Sequence, residues 1–268
     1  MYSLKNTIPT ILIVASFLTA KAQPSDSINY NSLRNATLTK MINNESQVNK
    51  KHLPIKSMLV PGVLITYGFT SLAINGLKNI NYEFKEDIWT DKPHKKKRID
   101  NYLQYAPALT VYGINAIGIK GKNSLRDRTM IWILSNVIQN TTVHSIKRLS
   151  HQLRPDGSDY YSFPSGHTAQ AFASAEFLYQ EYKDVSLWYG IAGYTMAAAT
   201  GYLRMYNDKH WFSDIVAGAG IGILSTKVAY CMYPAIKRKF FKNKPMNTMI
   251  MPFYQKGGGG LSLVYNYK

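Results

Sequence analysis

Apolar and polar positions run along this chain in long blocks, and strand-like alternation is confined to its last residues. Lys5 precedes an apolar run, Ile8–Leu18, and Ala20-Lys21-Ala22 then places small residues at alternate positions. That is the pattern of a secretory signal over residues 1–22. Residues 23–55 are polar, rich in Asn, Ser and Lys, and without a sustained period, as expected of a leader. Met58–Gly76 carries no charge over nineteen residues, close to bilayer length, and Pro61-Gly62 near its start suit a helix's first turn. Two more uncharged stretches, Tyr102–Ile119 and Thr129–Ile146, are separated by the basic segment Lys120–Arg128. Their Asn, Gln, Thr and Tyr residues suit buried helices of a bundle as well as membrane spans.

Small residues dominate Thr168–Tyr182 and Val185–Tyr202, so these are expected to be the central, closely packed helices. A last helix is expected from near His210 through DIVAGAGIGIL. Gly218, Gly220 and Gly222 in it lack the spacing and the preceding strand of a dinucleotide fingerprint, and packing explains them better. The chain is thus expected to hold one helical domain over residues 56–240. The tail, 241–268, has two short apolar runs around Gly257–Gly260 and reads as a small β-hairpin.

Charge narrows the choice of partner. The chain has 32 Lys and Arg against 15 Asp and Glu, a net +17, so anionic partners are expected: phosphate esters or acidic lipid headgroups. The basic residues are not interleaved with aromatic ones as in single-strand binders, which argues against nucleic acid. Lys92–Arg98 (KPHKKKR) is expected to be a solvated loop or a lipid-headgroup contact, with His94 exposed inside it. His144 is expected to be a satisfied core histidine. A lone cysteine, Cys231, excludes an internal disulfide and any Cys-rich metal site.

Candidate chemistry is concentrated between Lys147 and Asp214. His210 and Asp214 are four apart, so on a helix the carboxylate would orient one imidazole nitrogen and leave the other as a nucleophile. Pro164-Ser165-Gly166-His167 precedes an apolar helix. Its free backbone N–H groups would form an anion site, the Ser165 hydroxyl would add a donor, and His167 would be placed to transfer a proton. Lys147, Arg154 and Arg204 adjoin these pieces, and three cations suit the equatorial oxygens of a phosphoryl group in transfer.

The order K-x6-R-P (Lys147–Pro155), P-S-G-H (Pro164–His167) and R-x5-H-x3-D (Arg204–Asp214) resembles the three-part signature of the type 2 phosphatidic acid phosphatase (PAP2) superfamily, which includes the vanadium haloperoxidases. The family usually has serine before the third-motif arginine; Leu203 stands there and removes no charged or nucleophilic group. The resemblance implies an all-α, PAP2/haloperoxidase-like bundle of about six core helices and a phosphohydrolase that uses neither metal nor cofactor. It implies His210 as nucleophile, Asp214 as its orienting partner and His167 as acid and then base. Lys147, Arg154, Arg204, Ser165 and the Gly166 N–H would hold the phosphate oxygens. Apolar stretches, export and basic charge favour a phosphorylated lipid such as phosphatidic acid, phosphatidylglycerophosphate, undecaprenyl diphosphate or lipid A. A broad-specificity soluble periplasmic acid phosphatase and a vanadium-dependent haloperoxidase are the alternatives.

The expected location is periplasmic with membrane contact. Three early spans would leave Lys147 on the cytoplasmic side, so either one stretch does not cross or the domain is a soluble or surface-bound bundle. A mean hydropathy of −0.20 favours the second.

Overall fold

The computed structural model describes residues 55–92, 94–241, 248–255 and 258–265. The expected signal over 1–22 and nearly all of the leader lie outside them. Eight helices occur among the described residues: α1 Ile55–Ser71, α2 Asn75–Lys85, α3 Asp100–Leu103, α4 Ala106–Ala116, α5 Leu125–Ser150, α6 Gly166–Tyr182, α7 Leu187–Tyr206 and α8 Phe212–Phe241. One π-helical turn, Glu86–Thr90, extends α2. The helical architecture is the one expected. In the tail, the backbones of β1 (Thr248–Gln255) and β2 (Gly258–Tyr265) pair antiparallel, Thr248 opposite Tyr265 and Gln255 opposite Gly258.

Local chemistry fixes where the central helices begin. Ser124, Ser165 and Ser186 precede α5, α6 and α7, and their hydroxyls accept the N–H groups of Asp127, Thr168 and Trp188. Each satisfies a donor that has no partner inside the helix. The end of α5 is marked by His151 in the left-handed region, φ 43°, which turns the chain towards Arg154.

α6 is the centre of the bundle, and small residues put it there. Ala169 and Ala173 face α8, while Ala171 and Ala175 pack with Ala197 of α7. On α8, Gly218 and Gly222 are one turn apart and lie against α6, where a Cβ on Gly222 would stand 2.2 Å from the Ala169 carbonyl oxygen. Gly220, two residues on and so rotated to the opposite side, approaches α1, where its Cβ would meet the Pro61 carbonyl oxygen at 2.7 Å. The three glycines therefore let one helix touch neighbours on both sides, which confirms the packing reading.

Three sequence expectations are corrected. Pro61 is the seventh residue of α1, not part of its first turn, because the helix starts at Ile55. Met58–Gly76 is not one straight segment: α1 ends at Ser71, and α1 and α2 bend by 94°. Tyr102–Ile119 is likewise divided between α3 and α4. By length and composition Phe212–Phe240 is the one described helix able to cross a membrane, or one of two if the bent α1–α2 pair counts as a broken span. Over half of its most apolar stretch is buried inside the bundle, so core packing accounts for that composition equally well.

Gly222→Ala should lower thermal stability, since the clash is with backbone and costs about 1–3 kcal/mol, more than the helix propensity alanine gains. Gly62→Ala on α1 meets nothing within 4 Å and should be neutral or stabilising by roughly 0.5–1 kcal/mol. Thermal melts of the two variants check the contrast.

Candidate active site

His210 does not sit on a helix face with Asp214 as the spacing suggested; it precedes α8, and Asp214 is in the first turn. The pair meets by another route. Asp214 Oδ2 accepts the backbone N–H of Trp211, immediately before the helix, at 3.0 Å, as an acidic residue does when it reaches back to cap. That turn swings His210 Nδ1 to 3.3 Å from the same oxygen. On the ring's other side, Arg154 Nη1 lies 3.4 Å from Nε2. A guanidinium can only donate, so Nε2 is the unprotonated nitrogen and Nδ1–H points at Asp214. The ring is thereby presented with a lone pair facing the cations.

Each cation is held by an acceptor in the protein. Lys147 Nζ, near the end of α5, donates to the carbonyls of Tyr161 at 2.5 Å and Ser162 at 3.1 Å. Arg154 donates from Nε to Asp159 Oδ1 at 2.7 Å and from Nη1 to the Lys209 carbonyl at 3.2 Å. Arg204, near the end of α7, donates from Nη1 to Asp100 Oδ2 at 2.5 Å, and its buried Nε has no partner among the described residues. At the start of α6, His167 Nε2 is 2.9 Å from Asn101 Oδ1. Ser165 is buried, and its Oγ accepts from both Thr168 N and Thr168 Oγ1, leaving its own proton to donate. Gly166 begins α6, where N–H groups are free to take an anion.

The structure thus brings together every residue singled out in the three motifs. What sequence reasoning missed is the second layer: Asp100, Asn101 and Ser162, whose hydroxyl donates to Asp214 Oδ2 at 2.5 Å. None lies in a motif. Asp100 and Asn101 stand between the basic run Lys92–Arg98 and the uncharged stretch that begins at Tyr102, and neither reading singled them out. His94 is also corrected, because it is not merely exposed: its ring stacks on Tyr206 at 3.6 Å and bonds to the Tyr206 carbonyl. Lys97 is clasped through its backbone by Asn207. The basic run therefore docks on the third motif. His144, expected in the core, is exposed on α5.

A family model described as the PAP2 superfamily matches residues 142–238, which contain all three motifs in their spatial assembly. Among curated proteins, a lipid A 1-phosphatase of Porphyromonas gingivalis is 35% identical over 161 residues, covering 60% of this chain. The chain spans only 36% of that relative's length. Two solved structures are similar: Aquifex aeolicus LpxE, at TM-score 0.42 and 21% identity over 56% of this chain and 94% of its own, and a Bacillus subtilis transmembrane PAP2-type phosphatidylglycerolphosphate phosphatase, at TM-score 0.48 and 17% identity over 67% and 98%.

Electrostatics in the site follow from burial and from crowding of like charges. Burial, reinforced by Arg154, lowers the Lys147 ammonium to about 8. Burial and Arg204 lower His167 to about 4, and the same two causes hold His210 well below its usual range. Asp214 moves the other way: burial raises it to about 6 against the lowering pull of the Ser162 hydroxyl.

Two outcomes follow for the site. Lys147 is cationic below about pH 8 and loses its charge as pH rises through that value. Inorganic phosphate binding, followed by calorimetry, should weaken about tenfold per pH unit above that point, and Lys147→Arg should abolish this limb. Asp214 titrates in the fold near 6 and in the unfolded chain near 3.8. The native state therefore binds the extra proton, and stability falls as pH rises from below 3.8 through 6. Once ionised, Asp214 costs the fold about 3 kcal/mol, so Asp214→Asn should melt at or above the wild-type temperature at pH 7 and lose that advantage below pH 4.

Proposed function

We propose that this chain is a phosphohydrolase that removes phosphate from a phosphorylated lipid, with lipid A-type phosphate the first substrate to test. The observation that carries the reading is the ring of His210. Asp214 takes Nδ1–H, and Arg154 marks Nε2 as the open lone pair beside three cations. The lipid substrate is supported by the 35% identity to a lipid A 1-phosphatase and by the net charge of +17. The pattern of residues 1–22 supports export, with the domain working on the periplasmic side in contact with the membrane.

In this reading the His210 Nε2 lone pair attacks phosphorus in line with the ester bond. The N–P bond forms as the P–O bond to the leaving group breaks. His167 delivers its proton to the departing oxygen, then takes a proton from the water that attacks the phosphohistidine. The N–P bond breaks, phosphate leaves and His210 is restored. Lys147, Arg154, Arg204, Ser165 Oγ–H and the Gly166 N–H hold the three equatorial oxygens, where charge is greatest in transfer. Arg154 releases Nε2 as it takes up a phosphate oxygen. Its 3.4 Å contact is the long one in its set, so little is lost.

The test is phosphate release by purified protein, with EDTA, from lipid A, phosphatidic acid, phosphatidylglycerophosphate, undecaprenyl diphosphate and soluble phosphomonoesters. Release should favour lipids. His210→Ala should lose about 10⁴-fold or more, and His167→Ala about 10²–10⁴-fold while accumulating acid-labile phosphoprotein. Equal turnover of soluble esters would replace the lipid reading with a general phosphatase. Vanadate-dependent bromide oxidation without phosphate release would replace it with a haloperoxidase.

A further inference from the structure

We propose that Ser162 is a positioning residue for His210, acting through Asp214, and that it ties the first and third motifs into one geometry. Its kinetic consequences rest on the phosphatase reading above; its structural ones do not. Ser162 lies two residues before Pro164, outside every motif, and is fully buried. Each of its polar groups has a different duty. Its backbone N–H donates to the Gln152 carbonyl at 3.0 Å, within the first motif. Its carbonyl accepts from Lys147 Nζ at 3.1 Å. Its hydroxyl donates to Asp214 Oδ2 at 2.5 Å.

The decisive feature is which carboxylate oxygen is used. Oδ2 receives the Ser162 hydroxyl, the Trp211 N–H and the His210 ring N–H, while Oδ1 is buried with no partner among the described residues. A carboxylate free to turn would share three donors between two oxygens. Ser162 on one side and Trp211 on the other prevent that turn, so the load stays on the oxygen that faces His210. Without the hydroxyl, the Trp211 N–H alone opposes rotation about the carboxylate's last torsion, and terminal sp³–sp² torsions have broad wells. The partner of Nδ1 is then no longer fixed, and neither is the tautomer. Ser162 does not touch the reacting atoms. It also carries Lys147 on its carbonyl, so the same residue sets the distance between a phosphate-binding cation and the nucleophile's support.

The experiment compares Ser162→Ala and Ser162→Thr with wild type, alone and in an Asp214→Asn background, reading kcat, KM and the pH profile. Ser162→Ala should lower kcat roughly ten- to a hundredfold, as loss of an outer hydrogen-bond partner does, with KM within about twofold. Its acid limb should move to higher pH, because a donor that favours ionised Asp214 is gone. Ser162→Thr keeps the hydroxyl and should keep most of kcat. In the Asp214→Asn background, adding Ser162→Ala should lower kcat no further. Full additivity there, or an unchanged kcat and pH profile with only a lower melting temperature, would overturn the proposal. Nitrogen NMR of His210 supplies a reading that needs no substrate: Nδ1–H should dominate in wild type and Ser162→Thr and become a mixture in Ser162→Ala. If wild type hydrolyses no phosphate ester, the phosphatase reading fails and this spectrum alone decides; an unchanged tautomer in Ser162→Ala overturns the positioning role. Should Ser162→Ala not fold, Ser162→Cys, a weak donor, takes its place in both measurements.

Discussion

The Ser165 N–H donates to the Asp214 carbonyl at 3.0 Å, and the geometry of the site depends on that one backbone bond. It joins the start of α6 to the start of α8. Such a bond is possible only because the two helices nearly touch: Gly218 lies against the Ser165 carbonyl and Gly222 against Ala169. Two helix N-termini are thereby set side by side, each with a partial positive charge. His167 comes from one and Asp214 from the other, with His210 just ahead of the second. The small residues of the bundle core and the chemistry of the site are one design, since a wider helix spacing would separate the two histidines.

Around this pair of termini stand cations that the protein must hold apart without neutralising. Lys147 is given two carbonyls, Arg204 one carboxylate, and Arg154 a carboxylate and a carbonyl. These partners orient the donors and leave others directed inward, among them the buried Nε of Arg204, unpartnered among the described residues. Crowded positive charge in a buried place is costly, and the low titration of Lys147 records it. Buried carboxylates elsewhere in the bundle are likewise given partners. Buried Glu176 of α6 meets Lys227 of α8 at 2.9 Å, and buried Glu181 of α6 takes Tyr230 and Asn123 at 2.6 Å each.

Most of the site was legible in the sequence, because charged and nucleophilic groups are few in an apolar helical chain and their spacing is informative. Lys147, Arg154, Ser165, Gly166, His167, Arg204, His210 and Asp214 all converge. The mechanism of convergence was less legible. The H-x-x-x-D spacing suggested a helix face, whereas the pair is made by a helix start. Asp100, Asn101 and Ser162 were missed because long-range partners leave no periodic trace: Asp100 meets Arg204 across 104 positions. The fold shows the same division. Small-residue stripes predicted α6, α7 and α8, since packing needs them locally. The break after Ser71 was not predicted, because no Gly or Pro stands at it and the bend is a tertiary feature; Asn81 of α2 bonds Ser213 at the head of α8.

The depressed titration of both histidines looks at first like an obstacle to the proposed chemistry, since an acid catalyst must carry a proton. The causes resolve it. His210 and His167 are lowered by burial and then by the same cations that await the phosphate. That keeps His210 neutral, with Nε2 unprotonated, which is the state the proposed nucleophile needs. An arriving dianion cancels the cationic field, and the contribution of Arg204, Arg154 and Lys147 to each shift falls away or reverses. The effect on the two rings differs. His210 is buried, and in the proposed chemistry its Nε2 faces phosphorus, whereas half-buried His167 gains a negative neighbour and keeps access to protons from solvent. In the proposed mechanism, substrate binding would charge His167 as the acid while burial keeps His210 Nε2 bare, and one field set by three cations would serve both states.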